Sequence, residues 1–525
     1  MEDRFWKNPV FIIAASIIFI LVIIGVVATS AFERAATVLN SFTQGNFGWL
    51  YLLTVFLLTV FLFVLAVSKY GSIRLGKDNS KPEFSFFSWV GMLFSTGFGV
   101  GLVFWGVAEP MSHYFKSPYS DIPNQSAESA RVAMGYAFFH WGISQWAIFA
   151  LVGMVIGFLQ FRKNKDGLVS TALEPIVGTN RKVKTGIDSF AVIATVMGIA
   201  TSIGLGVMQM AGGFEAVLGW KNGFPLQLGI IVVIFGAYML SASTGLNKGI
   251  RYLGTFNLAL AIVLLVFFFI VGPKVFILET FTLAIGDYIS NFIQYSLRLQ
   301  PYQGGTWVND WTIFYWAWTI SWSPFVGAFV ARVSKGRTIR EFIFGVMIIP
   351  PLFAMLWIAV LGGTALYSDL NNGTAIAEAV NADVTSALFV TMETLPFSTI
   401  LSVLAIILVI TFLVTSADSA TYILASMTTN GNLTPPLSVK TIWGVLMSAI
   451  AGVLLMAGGL GALETASLVS ALPFTILLLL LIVSMSKLLA KEALPVRAAD
   501  VRRFERIRKE SRKRNGTTET DKQKK

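Results

Sequence analysis

Cysteine is absent from the 525-residue chain, and histidine occurs only as His113 and His140. Disulfides, thiolate metal sites and cysteine nucleophiles are therefore excluded, and two histidines are too few for a histidine-based metal cluster. Charged residues make up 13% of the chain, about half the share in soluble domains, whereas 55% of residues are apolar. So few charges cannot cover a soluble protein of this size. The sequence therefore predicts an all-α polytopic membrane protein and excludes soluble enzymes, secreted disulfide scaffolds and disordered proteins.

Long apolar segments recur along the chain. A spanning helix needs about 20 mostly apolar residues, because the hydrocarbon core of a bilayer is about 30 Å thick. The segments that meet this criterion are twelve predicted transmembrane helices: 9–29, 49–68, 88–110, 133–160, 188–212, 226–243, 252–272, 307–331, 342–366, 397–425, 441–460 and 463–486. Segment 276–298 is amphipathic and is predicted to lie at the membrane interface, and 373–392 is predicted to be a second, short non-spanning segment.

Basic residues are distributed unevenly across this topology. With both termini in the cytoplasm, the inner loops and tails hold 33 of the 39 Lys and Arg residues, and none lies within a predicted span. This bias is typical of cytoplasmic segments, so the net charge of +11 reflects membrane orientation and predicts no nucleic-acid partner. The tail from Arg497 to Lys525 has 12 basic against 5 acidic residues and is predicted to be either a solvated end or a segment that binds anionic lipids.

Two predicted spans carry helix-breaking residues. The third has Gly97, Gly99 and Gly101 at every second position, and the eighth has a Ser-Trp-Ser-Pro-Phe-Val-Gly interruption at 321–327. Broken helices in transporters expose main-chain groups to substrate and ions, although membrane glycines also serve close helix packing. Because the two spans are five apart, we predict two five-span repeats, spans 3–7 and 8–12, preceded by two additional helices.

Hydroxyl groups cluster in two other spans. Thr195, Thr201 and Ser202 lie in the fifth, and Thr415 and Ser416 lie in the tenth. Hydroxyl and main-chain carbonyl oxygens suit a hard cation such as Na⁺. Hydroxyls in membrane helices also bond back to their own helix. Two clusters together with a broken helix predict ion binding.

Aromatic residues lie deep within spans four and eight. Trp141 and Trp146 are five residues apart, about 140° around a continuous helix, and Phe149 follows one turn after Trp146. Trp318 and Trp322 are one turn apart. Converging rings can enclose a quaternary ammonium by cation–π attraction, although single rings also serve to fill a bundle. Since no span contains Lys or Arg, the predicted ligand is a zwitterion with its ammonium on the rings and its carboxylate on helix-end amides.

Ionisable side chains near the membrane are few. The acidic ones are Glu109, Asp188, Asp418 and Glu464, and such residues are functional candidates by default. Glu109 precedes a proline at the outer end of span three, where capping or gating is expected. For His140 a structural hydrogen bond is favoured over a role as proton relay.

Four segments resemble the betaine/carnitine/choline transporter family: GFGVGLVFWGVAEP at 97–110, FHWGISQWAIFALVG at 139–153, WTIFYWAWTISWSPFVGAFVARVSKGRTIREF at 311–342 and TSADSA at 415–420. The resemblance runs from about residue 5 to 490. It implies the LeuT-type 5+5 inverted repeat, a frequently trimeric assembly and uptake of quaternary ammonium compounds. It is strongest to sodium-coupled glycine betaine carriers of osmotic stress, with Na⁺ as coupling ion and no further cofactor.

The resemblance also implies roles for individual residues. The substrate-binding positions are Trp141, Trp146, Phe149, Trp318, Thr319, Trp322, Gly97, Phe98 and Gly99. One sodium site corresponds to Ser95, Phe98, Thr415 and Ser416, and the other corresponds to Thr195 and Phe412. The chain departs from the family pattern at Thr319, where tryptophan is common, and at Ile199, where the second sodium site has a threonine.

The implied organisation divides the chain into six parts. These are a cytoplasmic N-terminus (1–8), two additional helices (9–87), the first five-helix repeat (88–272), an extracellular connection with an interfacial helix (273–306), the second repeat (307–490) and a basic cytoplasmic tail (491–525).

Several alternatives remain open at this point. A carrier of choline, carnitine or a sulfonium osmolyte, including an exchanger, is the nearest one. Sodium-independent exchangers of the family place a basic side chain near the cation position, and the sequence shows none there, which favours sodium coupling. A membrane-embedded enzyme would need an inward-facing catalytic group, and a channel would conduct without saturable exchange.

Overall fold

The computed structural model describes residues 2–97, 99–244, 249–302 and 304–494. These residues form helices and no strand, with one isolated bridge between Arg74 and Thr338. The all-α fold predicted from the sequence is therefore confirmed for the part of the chain that is described. The basic tail from Arg497 to Lys525 lies outside the described residues.

Eighteen α-helices follow one another along the described chain. They are α1 (Pro9–Val27), α2 (Thr29–Val67), α3 (Phe86–Gly97), α4 (Val100–Phe115), α5 (Ala127–His140), α6 (Ile143–Gly157), α7 (Val169–Ala172), α8 (Glu174–Val177), α9 (Arg181–Leu218), α10 (Phe224–Thr244), α11 (Gly249–Val271), α12 (Lys274–Leu297), α13 (Phe314–Val333), α14 (Ile339–Asn372), α15 (Ile376–Ala382), α16 (Ala387–Glu393), α17 (Ser398–Met427) and α18 (Leu437–Ala490).

Nine helical segments of the described chain are long and apolar enough to cross a membrane. They include α1, α2, α9, α10, α11, α14, α17 and α18, and a segment from Ala127 to Arg162 that contains α5 and α6. Predicted span three is divided between two shorter helices, and predicted spans eleven and twelve both fall within α18. The number of twelve spans and the inverted repeat stay predictions.

Helix α18 is interrupted near its middle. Gly458 and Gly459 have non-helical backbone angles, and Gly459 has a φ of 57°, in the left-handed region that favours glycine. The interruption lies at the end of predicted span eleven (441–460), shortly before predicted span twelve. It allows the chain to turn there without a connecting loop.

The predicted break in span three coincides with the end of one helix and the start of another. Helix α3 ends at Gly97, and Gly99 is the residue that precedes α4, with an extended backbone. The first amide groups of any α-helix lack an intrahelical acceptor, and Gly99 has no side chain that could accept from those of Val100 and Gly101. Phe98 lies outside the described residues.

Span four was predicted as one continuous helix, and this prediction is wrong. Helix α5 ends at His140, Trp141 and Gly142 separate the two parts, and α6 begins at Ile143. The Ile143 amide donates to the hydroxyl of Tyr288 in α12, 2.9 Å away, and so gains a partner outside its helix. A Cβ at Gly142 would lie 2.7 Å from the same hydroxyl. The 140° separation between Trp141 and Trp146 therefore does not apply, because no continuous helix joins them.

The predicted interruption of span eight is also wrong. Helix α13 continues without a break from Phe314 to Val333, and Pro324 lies inside it. Proline removes the amide that would bond the carbonyl of Ile320. The hydroxyl of Ser323 donates to that carbonyl at 2.7 Å and so gives it another partner. The inverted repeat was predicted from matched breaks in spans three and eight. Only the break in span three is present in the structure.

Glycines allow the helices around the centre of the bundle to approach closely. A Cβ at Gly153 of α6 would lie 3.0 Å from the carbonyl oxygen of Gly327 in α13. A Cβ at Gly198 of α9 would lie 2.9 Å from the Cβ of Ser321, also in α13. Small residues at such contacts permit backbone-to-backbone packing in membrane helices. Helix α13 is thus held between α6 and α9, and its aromatic side chains have fixed neighbours.

Ion pairs join several segments on the predicted cytoplasmic side. Arg162 donates to Glu492, just beyond α18, at 2.6 Å and to Asp78 at 2.8 Å. Burial by itself would raise the pKa of Glu492, but hydrogen bonds from Lys163 and Arg162 lower the pKa below its ordinary value. The residues that precede the basic tail are therefore attached to the end of span four.

Candidate substrate cavity

A cavity lies where α4, α6, α9, α13 and α17 meet. Its lining residues are Gly99, Val100, Gly101, Leu102, Trp141, Gln145, Trp146, Phe149, Ser202, Trp318, Thr319, Trp322, Leu413 and Ser416. None of these described lining residues carries a charge. A free anion would therefore find no cationic side chain in this lining, whereas a zwitterion requires none.

Aromatic rings from α6 and α13 form a continuous wall of the cavity. The ring centroids of Trp146 and Phe149 are 5.5 Å apart and nearly perpendicular, and Phe149 lies 6.0 Å from Trp322. Trp318 and Trp322 are stacked, with centroids 6.4 Å apart. The sequence predicted five rings in spans four and eight. The structure brings four of them, Trp146, Phe149, Trp318 and Trp322, together in this wall. Their faces can interact with a cation that has lost its water shell.

Trp141 contacts the same wall from the break between α5 and α6. Its ring lies 6.2 Å from that of Trp318 and nearly perpendicular to it. Its indole Nε1 donates to a carboxylate oxygen of Glu109 at 2.9 Å. Trp141 is only 4% exposed. One edge of this ring is therefore held by a buried acid while another part lines the cavity.

The start of α4 forms the opposite side. Gly99 and Gly101 both line the cavity, and a Cβ at Gly101 would lie only 2.3 Å from the Trp318 ring. The absence of a side chain at Gly101 therefore lets this backbone approach the ring. The amide groups of a helix N-terminus attract anionic groups such as a carboxylate. Gly97, the last residue of α3, was predicted to contribute here, and the predicted contributor Phe98 is outside the described residues.

Polar groups without hydrogen-bond partners face this aromatic cavity. The hydroxyl of Thr319 and the amide oxygen of Gln145 are both buried and have no partner among the described residues. Ser202 by contrast accepts from the indole Nε1 of Trp318 at 3.2 Å. Buried polar atoms are usually satisfied by protein, water or ligand. Thr319 and Gln145 are therefore available to a bound solute.

Of the residues predicted for the first sodium site, Ser416 is the one that lines the cavity among the described residues. Gly99, beside the break in span three, lines it as well. Thr415 donates to the main-chain carbonyls of Thr411 and Phe412 at 3.0 Å and accepts from Asn257 of α11. Ser95 is a residue of α3. The structure thus brings Ser416 and the glycine break to one space.

The second predicted sodium site is divided between α9 and α17, two helices that pack against each other. Thr195 is buried in α9, and its hydroxyl donates to the carbonyl of Ala191 at 2.7 Å. Phe412 is buried in α17, 3% exposed. The hydroxyl of Thr195 therefore stabilises its own helix, and its role in ion binding stays a prediction.

Three of the other ionisable candidates, Asp188, Asp418 and His140, have identifiable partners. Asp188 accepts from the amide and hydroxyl of Ser170, and Asp418 accepts from the hydroxyl of Ser241. His140 makes the hydrogen bonds that were predicted to be structural, to Glu109 at 2.6 Å and to Thr312 at 2.9 Å. These contacts join helices outside the cavity lining.

Sequence reasoning missed Gln145, and it considered Ser202 only as part of an ion-binding cluster. Gln145 lies inside the FHWGISQWAIF segment, one position before Trp146. The signal that could have found it is an amide side chain within an apolar span, next to a predicted ligand-binding ring. Membrane helices place such groups toward the bundle interior.

Comparisons with known proteins identify the family to which the chain belongs. Residues 9–494 match the family model described as the betaine/carnitine/choline family transporter. The chain is 58% identical to the ectoine/hydroxyectoine transporter of Virgibacillus pantothenticus, across 94% of this chain and 98% of that protein. It is 44% identical to the glycine betaine transporter OpuD of Bacillus subtilis (strain 168), across 94% and 96%. It is 42% identical to a probable glycine betaine transporter of Desulfitobacterium hafniense (strain Y51), across 93% and 98%.

The chain belongs to the betaine/carnitine/choline transporter family. The resemblance predicted from the four sequence segments is thereby confirmed. The family and these relatives are transporters and not enzymes. The protein is a multi-pass membrane transporter, and the cavity is its candidate substrate site.

Proposed function

We propose that this transporter takes up a small zwitterionic osmolyte together with Na⁺ by alternating access. The observation that carries the proposal is the uncharged cavity, which combines aromatic faces, a helix N-terminus and unpartnered polar atoms. Trp146, Phe149 and Trp322 supply ring faces for the cationic end of the solute. The amide groups at the start of α4, beside Gly99, are suited to its carboxylate.

Glycine betaine is one candidate substrate, as the resemblance to glycine betaine carriers predicts. Its trimethylammonium group has no N–H and binds through ring faces alone. A relative that is 44% identical is named as a glycine betaine transporter, and one that is 42% identical is named as a probable glycine betaine transporter. Choline and carnitine share the same cationic group and remain alternatives within the family.

Ectoine or hydroxyectoine is the second candidate, and a specific observation favours it. These solutes carry a cyclic amidinium whose two N–H groups require acceptors. Thr319 and Gln145 offer two unpartnered oxygens in the cavity. Glycine betaine has no N–H group and therefore cannot satisfy these two oxygens. Because buried oxygens without a partner are costly, its affinity for the cavity would be lower. The relative that is 58% identical is named as an ectoine/hydroxyectoine transporter. The two unpartnered oxygens therefore favour a cyclic amidinium zwitterion over glycine betaine, whereas the rings and the start of α4 suit both solutes.

Na⁺ is the proposed coupling ion. Ser416 places a hydroxyl at the cavity, and Thr415 precedes it on α17. A bound ion beside the break between α3 and α4 would stabilise the outward-open state that admits the solute, and joint occupancy would permit closure. Thr195 and Phe412 are proposed to hold a second ion. No further cofactor is proposed.

The proposed setting is the cell membrane, with both termini in the cytoplasm and three copies in the assembly. Family resemblance supports the trimer, and the distribution of Lys and Arg supports the orientation. The basic tail is proposed to contact anionic lipids, which would make activity sensitive to lipid composition.

A competition series in proteoliposomes tests the substrate proposal. Uptake of labelled glycine betaine is measured with ectoine, hydroxyectoine, choline, carnitine or proline as competitor, with and without a Na⁺ gradient. We expect ectoine and hydroxyectoine to compete more strongly than unlabelled glycine betaine. Thr319→Val, which removes the hydroxyl at nearly constant volume, should weaken ectoine binding about tenfold and leave that of glycine betaine nearly unchanged. Equal effects on both solutes would contradict the assignment of Thr319.

A further inference from the structure

A second constellation of polar side chains lies outside the lining of the substrate cavity. Glu109 and His113 of α4 and His140 at the end of α5 place one potential ligand atom each within 4.8 Å of the others. All three residues are fully buried. The expectation that two histidines are too few for a metal site counted imidazoles alone and did not include this carboxylate.

The carboxylate of Glu109 is oriented by its other contacts. Its Oε2 accepts from the indole Nε1 of Trp141 at 2.9 Å and from the hydroxyl of Tyr315 at 2.5 Å. Its Oε1 lies 2.6 Å from Nδ1 of His140 and 3.4 Å from Nε2 of His113. One oxygen is thus occupied by two donors, and the other faces both imidazoles.

The two histidines differ in their hydrogen bonding. Nε2 of His140 is 2.9 Å from the hydroxyl of Thr312, which fixes the ring. Neither ring nitrogen of His113 meets hydrogen-bond geometry with any described residue, although the side chain is fully buried. Buried polar groups without a partner are rare because desolvation is not compensated. Nε2 of His113 lies 3.4 Å from the Glu109 carboxylate and forms no hydrogen bond with it. This unpartnered nitrogen indicates a position where an ion could bind.

We propose that Glu109, His113 and His140 bind a divalent transition-metal cation, for which Zn²⁺ is the best match. Two imidazole nitrogens and one carboxylate oxygen are a typical three-residue zinc ligand set that leaves a fourth position open. Ligand atoms about 2.1 Å from a tetrahedral ion lie about 3.4 Å from one another, which matches the 3.4 Å between Oε1 of Glu109 and Nε2 of His113. Nδ1 of His140, 2.6 Å from the same oxygen, would exchange its hydrogen bond for the ion and move outward by about 0.8 Å. Hard cations such as Mg²⁺ and Ca²⁺ prefer all-oxygen sites.

The charges and second contacts of the cluster fit this assignment. Among the described residues, the two histidines alone can form ion pairs with Glu109, and they carry a positive charge only when protonated. With neutral imidazoles as ligands, a metal would supply the positive charge that this buried carboxylate requires. Thr312 on His140 is the kind of outer contact that fixes a metal-binding imidazole.

An approach to the site exists from a second pocket. That pocket is lined by parts of the segments 116–124 and 300–306, which are predicted to be extracellular, and by Trp307, Asp310 and Trp311 at the start of predicted span eight. Its lining residues Trp307 and Trp311 also contact His113, with ring centroids 4.9 Å and 4.3 Å away. Displacement of these rings would connect the pocket with the imidazole. The ion is therefore expected to enter from outside.

Bound Zn²⁺ would act on transport through helix positions. It would join α4 to the end of α5, and Glu109 also holds Trp141, which lines the substrate cavity. Movements of these helices during alternating access would then be restrained. External Zn²⁺ is consequently expected to inhibit uptake.

Calorimetric titration of tag-free, purified protein with ZnCl₂ tests the site without relying on transport. We expect one Zn²⁺ per chain with a Kd in the micromolar range, and no comparable heat with Mg²⁺ or Ca²⁺. His113→Gln should weaken binding about 100-fold, because it removes a ligand that makes no other hydrogen bond. Asp418→Asn is the matched control, since it neutralises another buried acid outside the cluster, and its affinity should equal that of the wild type.

A second variant keeps the test decisive if His113→Gln does not fold. Thr312→Val removes only the contact that fixes His140 and should weaken Zn²⁺ binding about tenfold. Absence of Zn²⁺ binding by the wild type would overturn the proposal and leave the cluster as a site that holds a proton. Unchanged affinity in the folded variants would overturn it as well. Inhibition of uptake by external Zn²⁺ that disappears in His113→Gln would support the regulatory role independently of which solute is carried.

Discussion

The two sides of the substrate cavity are built in different ways. On one side, the chain breaks between α3 and α4 and again between α5 and α6. On the other side, α13 continues unbroken although it contains Pro324. The broken side brings main-chain groups to the cavity at Gly99, whereas the continuous side holds Trp318 and Trp322 in a stacked pair. The main-chain groups at the cavity therefore come from the broken side alone, whereas the rings come from both sides, from α6 as well as from α13.

The difference depends on how each freed main-chain group finds a partner. At the proline of α13, the hydroxyl of Ser323 bonds the carbonyl of Ile320, so the helix continues. At the break before α6, the amide of Ile143 bonds Tyr288, which belongs to a distant helix. A local partner thus preserves a helix, and a tertiary partner allows it to end. Helix-breaking residues alone do not distinguish these outcomes.

The largest effect is expected from adding a side chain where the backbone of α4 approaches the ring of Trp318. Gly101→Ala would place a methyl group about 2.3 Å from the ring of Trp318, which is held by Ser202 and by stacking on Phe314. Overpacking of this kind costs about 1–3 kcal/mol, so we expect kcat/KM for uptake to fall about 10- to 100-fold. Gly91→Ala on α3, where no atom lies within 4 Å of the new methyl group, is the control and should be near wild type. Full activity of Gly101→Ala would show that this contact does not limit transport.

The next effect concerns the ring contributed by α6. Trp146→Ala removes a ring face from the wall and should raise the apparent KM for the solute about tenfold or more, because a desolvated cation–π contact contributes about 2 kcal/mol. Trp146→Phe retains a ring and should recover most of the affinity. The measurement is initial uptake rate against solute concentration at saturating Na⁺. An unchanged KM in the alanine variant would remove Trp146 from the site.

A smaller effect is expected at Ser416. Ser416→Ala removes a hydroxyl from the cavity. The Na⁺ concentration for half-maximal uptake should rise about fivefold, because one such polar contact contributes about 1 kcal/mol. The KM for the solute at saturating Na⁺ should change little. Ser419→Ala on the same helix is the comparison variant. Equal sodium dependence in both variants would argue against an ion at Ser416.

The smallest effect concerns the continuity of α13 itself. Ser323→Ala leaves the carbonyl of Ile320 without this donor and should destabilise the protein by about 1 kcal/mol, visible as a modest decrease in thermal stability. Uptake should fall less than in Gly101→Ala. A variant as stable as the wild type would mean that the hydroxyl does not maintain the helix across Pro324.

Sequence patterns were sufficient for the features that depend on local chemistry. Apolar length predicted the helices, and the glycines at 97, 99 and 101 predicted the break before α4. The predicted rings Trp146, Phe149, Trp318 and Trp322 lie around one cavity. The substrate and ion roles of these residues stay predictions.

Features that depend on tertiary partners could not be predicted. The break at Gly142 requires Tyr288, which is 145 residues from the amide it receives. The cluster around Glu109 joins α4, α5 and the start of the α13 region, and nothing in the local sequence of His113 shows which side chains surround it. Thr319 was predicted as a cavity residue only through the resemblance to the family. That its hydroxyl has no hydrogen-bond partner among the described residues could be seen only in the structure.

Counterflow in proteoliposomes tests the central claim most directly. Vesicles loaded with unlabelled glycine betaine or ectoine are placed in labelled solute, with Na⁺ or K⁺ as the only added cation. The account predicts saturable, Na⁺-dependent entry of label, which decreases when Trp146 is replaced by alanine. Entry of equal rate and extent in K⁺, or entry that does not saturate, would contradict a sodium-coupled carrier with its solute in this cavity.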